Sequence, residues 1–390
     1  MKGNAVVVMG VDRHEVRRDN GTHRAPKRGV FSQGRQRSSR GSLRWDAPST
    51  PHLLLYRSAV SRGKEKRGVG EKATGRAVGG QAPQEALKKR VEVTLPNGRI
   101  ATYEVIGSGG EPLLTFVGGP GLSAKLMRAD AELFAERFTC YLIDPHGSGG
   151  STPPQDETAY DFVGHARFYE EVHRALGLGS VSVHGVSFGG SVALTYTALF
   201  PEVTIRCIAV SAFAVGEELD EEEGGDAAAE MEAALARHAH AEWYSEAREI
   251  WDDWTARALA ATDPGEIRDM LARVFPLYPA YPNRPDVRKA IDEAREMLEV
   301  DLRAVKVWEG GLYQRGDLRP LLGQIQCPTL IVCGALDLIG GPAQPNQIAP
   351  RVADAELLIL PKCGHIPALE RPQPYRDAVL NWCRAHPARP

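Results

Sequence analysis

Ten residues constrain this chain more than any others: Val181-Ser182-Val183-His184-Gly185-Val186-Ser187-Phe188-Gly189-Gly190. Residues 181–186 read as a buried strand, and it runs straight into Gly-x-Ser-x-Gly. A helix follows over residues 191–200 and stops at Pro201. The pentapeptide alone also occurs in loops without chemistry, so the strand before it and the helix after it carry the reading. The turn between them strains the backbone of the serine, and the residues two before and two after must be small. Ser187 Oγ then stands exposed at the carboxyl end of its strand. The free N–H groups of the following helix point at the same place.

The 390 residues suffice for a large core, and their net charge of −3 hides an asymmetry. Residues 1–90 hold 21 Lys and Arg against 7 Asp and Glu, a balance of +14, while the remainder carries −17. Residues 1–86 are rich in Arg, Gly and Ser and show little hydrophobic periodicity, so a disordered basic extension is expected. A nucleic-acid-binding arm and an organellar transit peptide share that composition. The plainest expectation is an extension without function, from a start codon placed too far upstream. No Met lies between Met9 and Met127, so a start near residue 85 requires another initiator. The six cysteines form no Cys-x-x-Cys pair and sit mostly in apolar patterns, which fits a reducing, cytoplasmic setting. No apolar run approaches the roughly 18 residues of a membrane span.

Order is expected from about residue 88. Residues 90–95 and 99–106 alternate as strands about the turn Pro96-Asn97-Gly98. Short apolar runs at 113–117, 139–143, 181–186 and 203–211 alternate with helical patterns at 131–137, 160–178 and 191–200. That alternation implies a mostly parallel sheet with helices on both faces. Residues 226–305 read almost wholly helical, with breaks at Asp263-Pro264-Gly265 and over 275–285. Strands resume at 329–333 and 356–360, and a helix over 375–384 closes the chain. The expected organisation is a core of residues 87–213 and 318–390, with residues 214–317 inserted as a helical cap.

A serine hydroxyl is a poor nucleophile. It needs a base, an acid to orient the base, and donors for the oxyanion. Downstream of Ser187 few residues qualify. Asp337 follows the buried strand at 329–333, on the sheet edge that also carries Ser187. Asp317 and Asp354 follow no buried strand directly. His365 lies in a Gly/Pro loop between a strand and a helix, and an imidazole, with an ordinary pKa of about 6.5, suits a base at neutral pH. The only later histidine, His386, sits at the chain end. For the oxyanion, one backbone donor is expected from Phe188 and a second from the loop Val117-Gly118-Gly119-Pro120-Gly121. Pro120 has no N–H, and Gly119 lets a substrate approach the backbone, so Gly119 is the choice.

With these residues in hand, residues 90–386 resemble the α/β-hydrolase superfamily. Gly118-Gly119-Pro120-Gly121 is similar to the His-Gly-Gly-Pro-Gly loop of proline iminopeptidases, the serine aminopeptidase branch. Asp144-Pro145-His146-Gly147-Ser148-Gly149-Gly150-Ser151 is similar to their Asp-Gln-Arg-Gly-x-Gly-x-Ser segment. Here Val117 stands for the leading histidine and His146 for the arginine, and the elbow reads Gly-Val-Ser-Phe-Gly-Gly rather than Gly-Gly-Ser-Trp-Gly. The resemblance implies the same triad, Ser187, Asp337 and His365, and the same donors, Gly119 and Phe188. It also implies a cap glutamate for the substrate's free amine. Glu309, in Trp308-Glu309-Gly310, and the acidic Glu217 and Glu218 are the candidates. Trp243, Trp251 and Trp254 fall on helical spacing; they either line an apolar pocket or pack the cap onto the core.

The expected function is acyl-enzyme hydrolysis, with release of the N-terminal residue from small peptides as the resemblance suggests. The alternative is a carboxylesterase, thioesterase or lactonase using the same machinery. A remoter one is a non-catalytic ligand-binding protein of this fold. A small molecule or short peptide is the expected partner, with no metal, organic cofactor, nucleic acid or membrane.

Overall fold

A computed structural model of the chain describes residues 6–8, 90–216, 227–312, 316–339 and 341–388. Its strands are β1 (Val6–Val8), β2 (Val91–Thr94), β3 (Ile100–Ile106), β4 (Glu111–Phe116), β5 (Phe138–Ile143), β6 (Val181–Val186), β7 (Thr204–Val210), β8 (Thr329–Gly334) and β9 (Ala355–Leu360). Among the described residues they form one sheet in the order β1-β9-β8-β7-β6-β4-β5-β3-β2. The pairs from β1 to β5 along that order are parallel, and β3 joins β5 and β2 antiparallel.

Two-residue periodicity explains why both faces of the central strands are apolar. In β7, Cys207 and Ala209 face one core cluster while Ile208 and Val210 face the other; in β8, Ile331 opposes Leu330 and Val332. The first cluster is covered by α2 (Phe162–Ala175) and α3 (Phe188–Leu199). The second is covered by α1 (Arg128–Phe134) and, at the end of the chain, by the helix Pro372–Ala385. Helix α1 lies earlier than the expected 131–137, because the chain already turns at Phe134–Arg137 to enter β5.

After β7 the chain leaves the sheet. The departing and returning segments meet through Leu318 N–H donating to Ala214 O at 2.8 Å and a bridge between Val215 and Asp317. Between them lie α4 (Ala227–Ala236), α5 (Tyr244–Asp252), α6 (Trp254–Ala260), α7 (Pro264–Val274), α8 (Pro285–Glu296) and α9 (Leu302–Val307). The break at Asp263-Pro264-Gly265 is a helix start: the Asp263 carboxylate accepts from Gly265 N and Pro264 occupies the first turn. The core then adds α10 (Arg319–Leu322), α11 (Ala343–Ile348), α12 (Pro367–Glu370) and α13 (Pro372–Ala385).

One expectation is corrected. Within the stretch expected to be disordered, residues 6–8 pair in parallel with residues 357–359 at the sheet edge. A Val-Val-Val triplet favours extended backbone, and pairing satisfies the open edge of β9. The rest of residues 1–86 and the acidic stretch at 217–223 lie outside the described residues. Among the described residues the six cysteines are free and buried, and no helix is long and apolar enough to cross a membrane.

Candidate active site

Strand β6 is buried along its whole length between β4 and β7. It runs into Ser187, whose backbone lies at φ 57° and ψ −125° and whose N–H donates to Val210 O at 2.8 Å. Only small neighbours permit this turn. A Cβ on Gly185 would stand 2.1 Å from Gly189 O, and one on Gly189 would stand 2.0 Å from Phe116 O. The Ser187 hydroxyl makes no capping bond to α3. Among the described residues, the Phe188 N–H at the first helical position has no acceptor.

The loop after β4 lies against this turn. A Cβ on Gly118 would stand 2.9 Å from Val186 O and 3.2 Å from Ser187 Cβ, so a side chain there would crowd the elbow. Gly119 follows at φ +78°. Its N–H has no acceptor among the described residues. The loop is anchored from behind: the Asp144 carboxylate accepts from Ala124 N at 2.9 Å and Thr102 Oγ1 at 2.7 Å, and pairs with Arg90 at 2.8 Å. Asp144 in the second family-like segment is therefore a tie between β5, β3 and this loop.

Asp337 and His365 leave β8 and β9 at the same sheet edge, and their side chains meet at 2.7 Å between Oδ1 and Nδ1, both buried. Asp337 Oδ1 also accepts from Ile339 N at 2.8 Å. An ionised carboxylate only accepts, so Nδ1 carries the proton and Nε2 presents its lone pair. Nε2 has no hydrogen-bond partner among the described residues. Ser187 and His365 border one cavity of about 980 Å³ between sheet edge and cap. Asp317, the rival acid, is taken up by Arg319 at 2.8 Å.

The cap walls of this cavity are mainly apolar and include Trp251, Trp254, Tyr278, Met297 and Trp308. Trp243 instead packs at a tilt against His238, ring centroids 5.5 Å apart, inside the cap. Glu309 borders the cavity and is held by Trp254 Nε1 at 2.9 Å and Thr255 Oγ1 at 2.7 Å. Glu217 and Glu218 lie outside the described residues.

Three residues that hold His365 were not singled out from the sequence. Ser211, at φ 49°, donates its hydroxyl to His365 O at 2.9 Å. Tyr278 O accepts from His365 N at 3.0 Å. The buried Glu370 carboxylate accepts from Gly364, Ile366 and Ala280 N–H groups; burial pushes its pKa up to about 7 against the pull of those donors. No local pattern marks them, because each partner is distant in sequence or on the backbone.

His146 and His165 sit behind the elbow. Their rings are 4.3 Å apart, and His165 stands edge-on to Phe188 at 5.1 Å. Burial lowers both, His146 to about 4 and His165 well below its ordinary value. The unfolded chain therefore binds the protons first as pH falls. The stability contributed by neutral His146 is complete above its ordinary pKa of about 6.5 and is lost toward pH 4, up to about 3 kcal/mol at roughly 1.4 kcal/mol per unit. Asp130 and Glu370, both raised to about 7, act in the opposite sense, so the wild type alone does not isolate the term. The His146→Phe variant does. In thermal melts followed by circular dichroism, it is expected to lose less stability than wild type between pH 6.5 and 4; parallel losses contradict the assignment.

Residues 111–240 match the family model described as alpha/beta hydrolase fold. A 1-acylglycerol-3-phosphate O-acyltransferase of Arabidopsis thaliana is 22% identical over 369 residues, covering 88% of this chain and 82% of that protein. A proline iminopeptidase of Lactobacillus delbrueckii subsp. lactis is 24% identical over 314 residues, covering 75% and 97%. The solved structure of a thermophilic esterase from Thermogutta terrifontis superposes with a TM-score of 0.56 at 22% identity, over 77% of this chain and all of that one. At such identity the structural likeness speaks for the fold.

Proposed function

From the α/β-hydrolase fold of this chain, we infer a serine hydrolase that works through an acyl-enzyme and takes esters of apolar acids. The observation that carries the reading is the Asp337-bound His365, with its bare Nε2 on the same cavity as the strained Ser187. His365 Nε2 accepts the proton of Ser187 Oγ as the oxygen attacks the substrate carbonyl. The N–H groups of Phe188 and Gly119 receive the oxyanion. His365 then gives its proton to the departing alkoxide, which leaves as alcohol. In the second half His365 takes a proton from water, the hydroxide attacks the acyl carbonyl, and the proton returns to Ser187 as the acid leaves. Asp337 keeps the Nδ1 proton in place and stabilises the imidazolium.

The apolar cap walls support an ester, thioester or lactone over a peptide. A peptide N-terminus is the second reading, and Glu309 favours it, since its carboxylate borders the cavity where an ammonium group can reach it. Aryl esters of graded acyl length, a prolyl arylamide and its N-acetyl form separate the two. For the ester reading, kcat/KM rises with chain length, by at most roughly 200-fold over four methylenes at about 0.8 kcal/mol each. A prolyl arylamide that outperforms every ester, and loses its advantage on acetylation, establishes the peptidase instead.

A further inference from the structure

Glu370 ends α12, five residues after His365, and is 1% exposed. Its Oε2 accepts from Gly364 N at 2.8 Å and its Oε1 from Ile366 N at 3.1 Å, so it grips the backbone on both sides of His365. The same Oε2 accepts from Ala280 N of the cap at 2.8 Å. Cap and loop meet again where His365 N–H donates to Tyr278 O at 3.0 Å and the Tyr278 ring lies 5.3 Å from the imidazole. The seam is tight: a Cβ on Gly364 would stand 2.5 Å from Tyr278 O and 2.6 Å from Ala280 N. Arg284 adds a bond to Glu370 O at 3.2 Å from the cap side.

We propose that Glu370 is a positioning residue that ties His365 to the cap, so the base is in place only while residues 278–280 are seated. The proposal rests on His365 acting as the base. Three N–H groups, two of them buried, converge on one buried carboxylate, and its loss leaves at least one of them unpaired next to the imidazole. A buried unpaired donor is costly, and the loop relaxes to satisfy it. A shift of about 1 Å in a reacting group costs roughly 100-fold in rate. A residue that only stabilised α12 would lower the melting temperature and leave the folded enzyme's turnover alone.

The test uses the full chain and Glu370→Gln, which keeps the shape and turns one acceptor into a donor. Two readings are taken: the rate at which a fluorophosphonate labels Ser187, and kcat and KM for a short and a longer aryl ester. The expected result is a fall of about 10- to 100-fold in both labelling rate and kcat, equal for the two esters, with KM changed by less than about threefold. A folded variant with labelling and kcat within about twofold of wild type overturns the proposal. A rise in KM that grows with acyl length, at unchanged kcat, also overturns it, because that is the signature of a loosened pocket. If Glu370→Gln does not fold, Glu370→Asp, which keeps the charge and shortens the reach, is held to the same criteria. A wild type that is never labelled at Ser187 overturns the hydrolase reading itself, whatever the variants do.

Discussion

Replacing Ser187 by alanine is expected to lower kcat by roughly 10⁴- to 10⁶-fold while leaving the fold intact. The size follows from what the hydroxyl does in the proposed mechanism: it is the atom that becomes acylated, and no neighbouring side chain replaces it. The residual rate comes from the oxyanion donors at Phe188 and Gly119 and from binding in the cavity, all of which survive the change. Stability should hardly move. The hydroxyl caps no helix, and the strained backbone at φ 57° is held by Ser187 N–H on Val210 O and by the flanking glycines. Steady-state hydrolysis of an aryl ester, with a thermal melt of the same preparation, checks both halves. Activity within about tenfold of wild type removes Ser187 from the mechanism.

Asp337→Asn is expected to cost about 10⁴-fold in kcat at neutral pH with little change in shape. The wild-type Oδ1 serves both His365 Nδ1 at 2.7 Å and Ile339 N at 2.8 Å. An asparagine has two ways to fill that position. It can turn its amide N–H to Nδ1, which moves the imidazole proton to Nε2 and removes the base. It can keep its oxygen there, which preserves the tautomer but withdraws the charge that stabilises the imidazolium. Either way the folded protein persists and turnover falls. Asp317→Asn is the matched control, because that carboxylate is committed to Arg319 and should leave kcat unchanged. A loss of less than about tenfold at Asp337 contradicts its assignment.

Much of the arrangement around Ser187 is legible in the sequence, because its parts obey local rules. Gly185 and Gly189 flank Ser187 because any Cβ there meets backbone within about van der Waals overlap, and that rule is written in five consecutive letters. Asp337 and His365 were found by elimination along the chain, each placed just past an apolar run that proved to be β8 and β9. The hairpin, the parallel strands and the helical insertion followed from changes of hydrophobic period. The early N-terminal extension shows the limit of composition: three valines within it pair with β9, since a sheet edge elsewhere in the chain offers them partners.

The sequence by itself determined the strand–turn–helix at Ser187, the alternation that builds the sheet, and the identity of the residues that line up on its carboxyl edge. Those features depend on neighbours within a few positions. Only the tertiary structure decided that Glu309 is held by Trp254 and Thr255, that Trp251 borders the cavity while Trp243 does not, and that Glu370 clasps the backbone of both His365's loop and the cap. The first joins residues some 55 positions apart through side-chain donors, and the last joins cap and loop through backbone N–H groups that every non-proline residue possesses. A hydrogen bond to a backbone group leaves no mark on the identity of its donor, so the seam between cap and base is legible in space and silent in the letters.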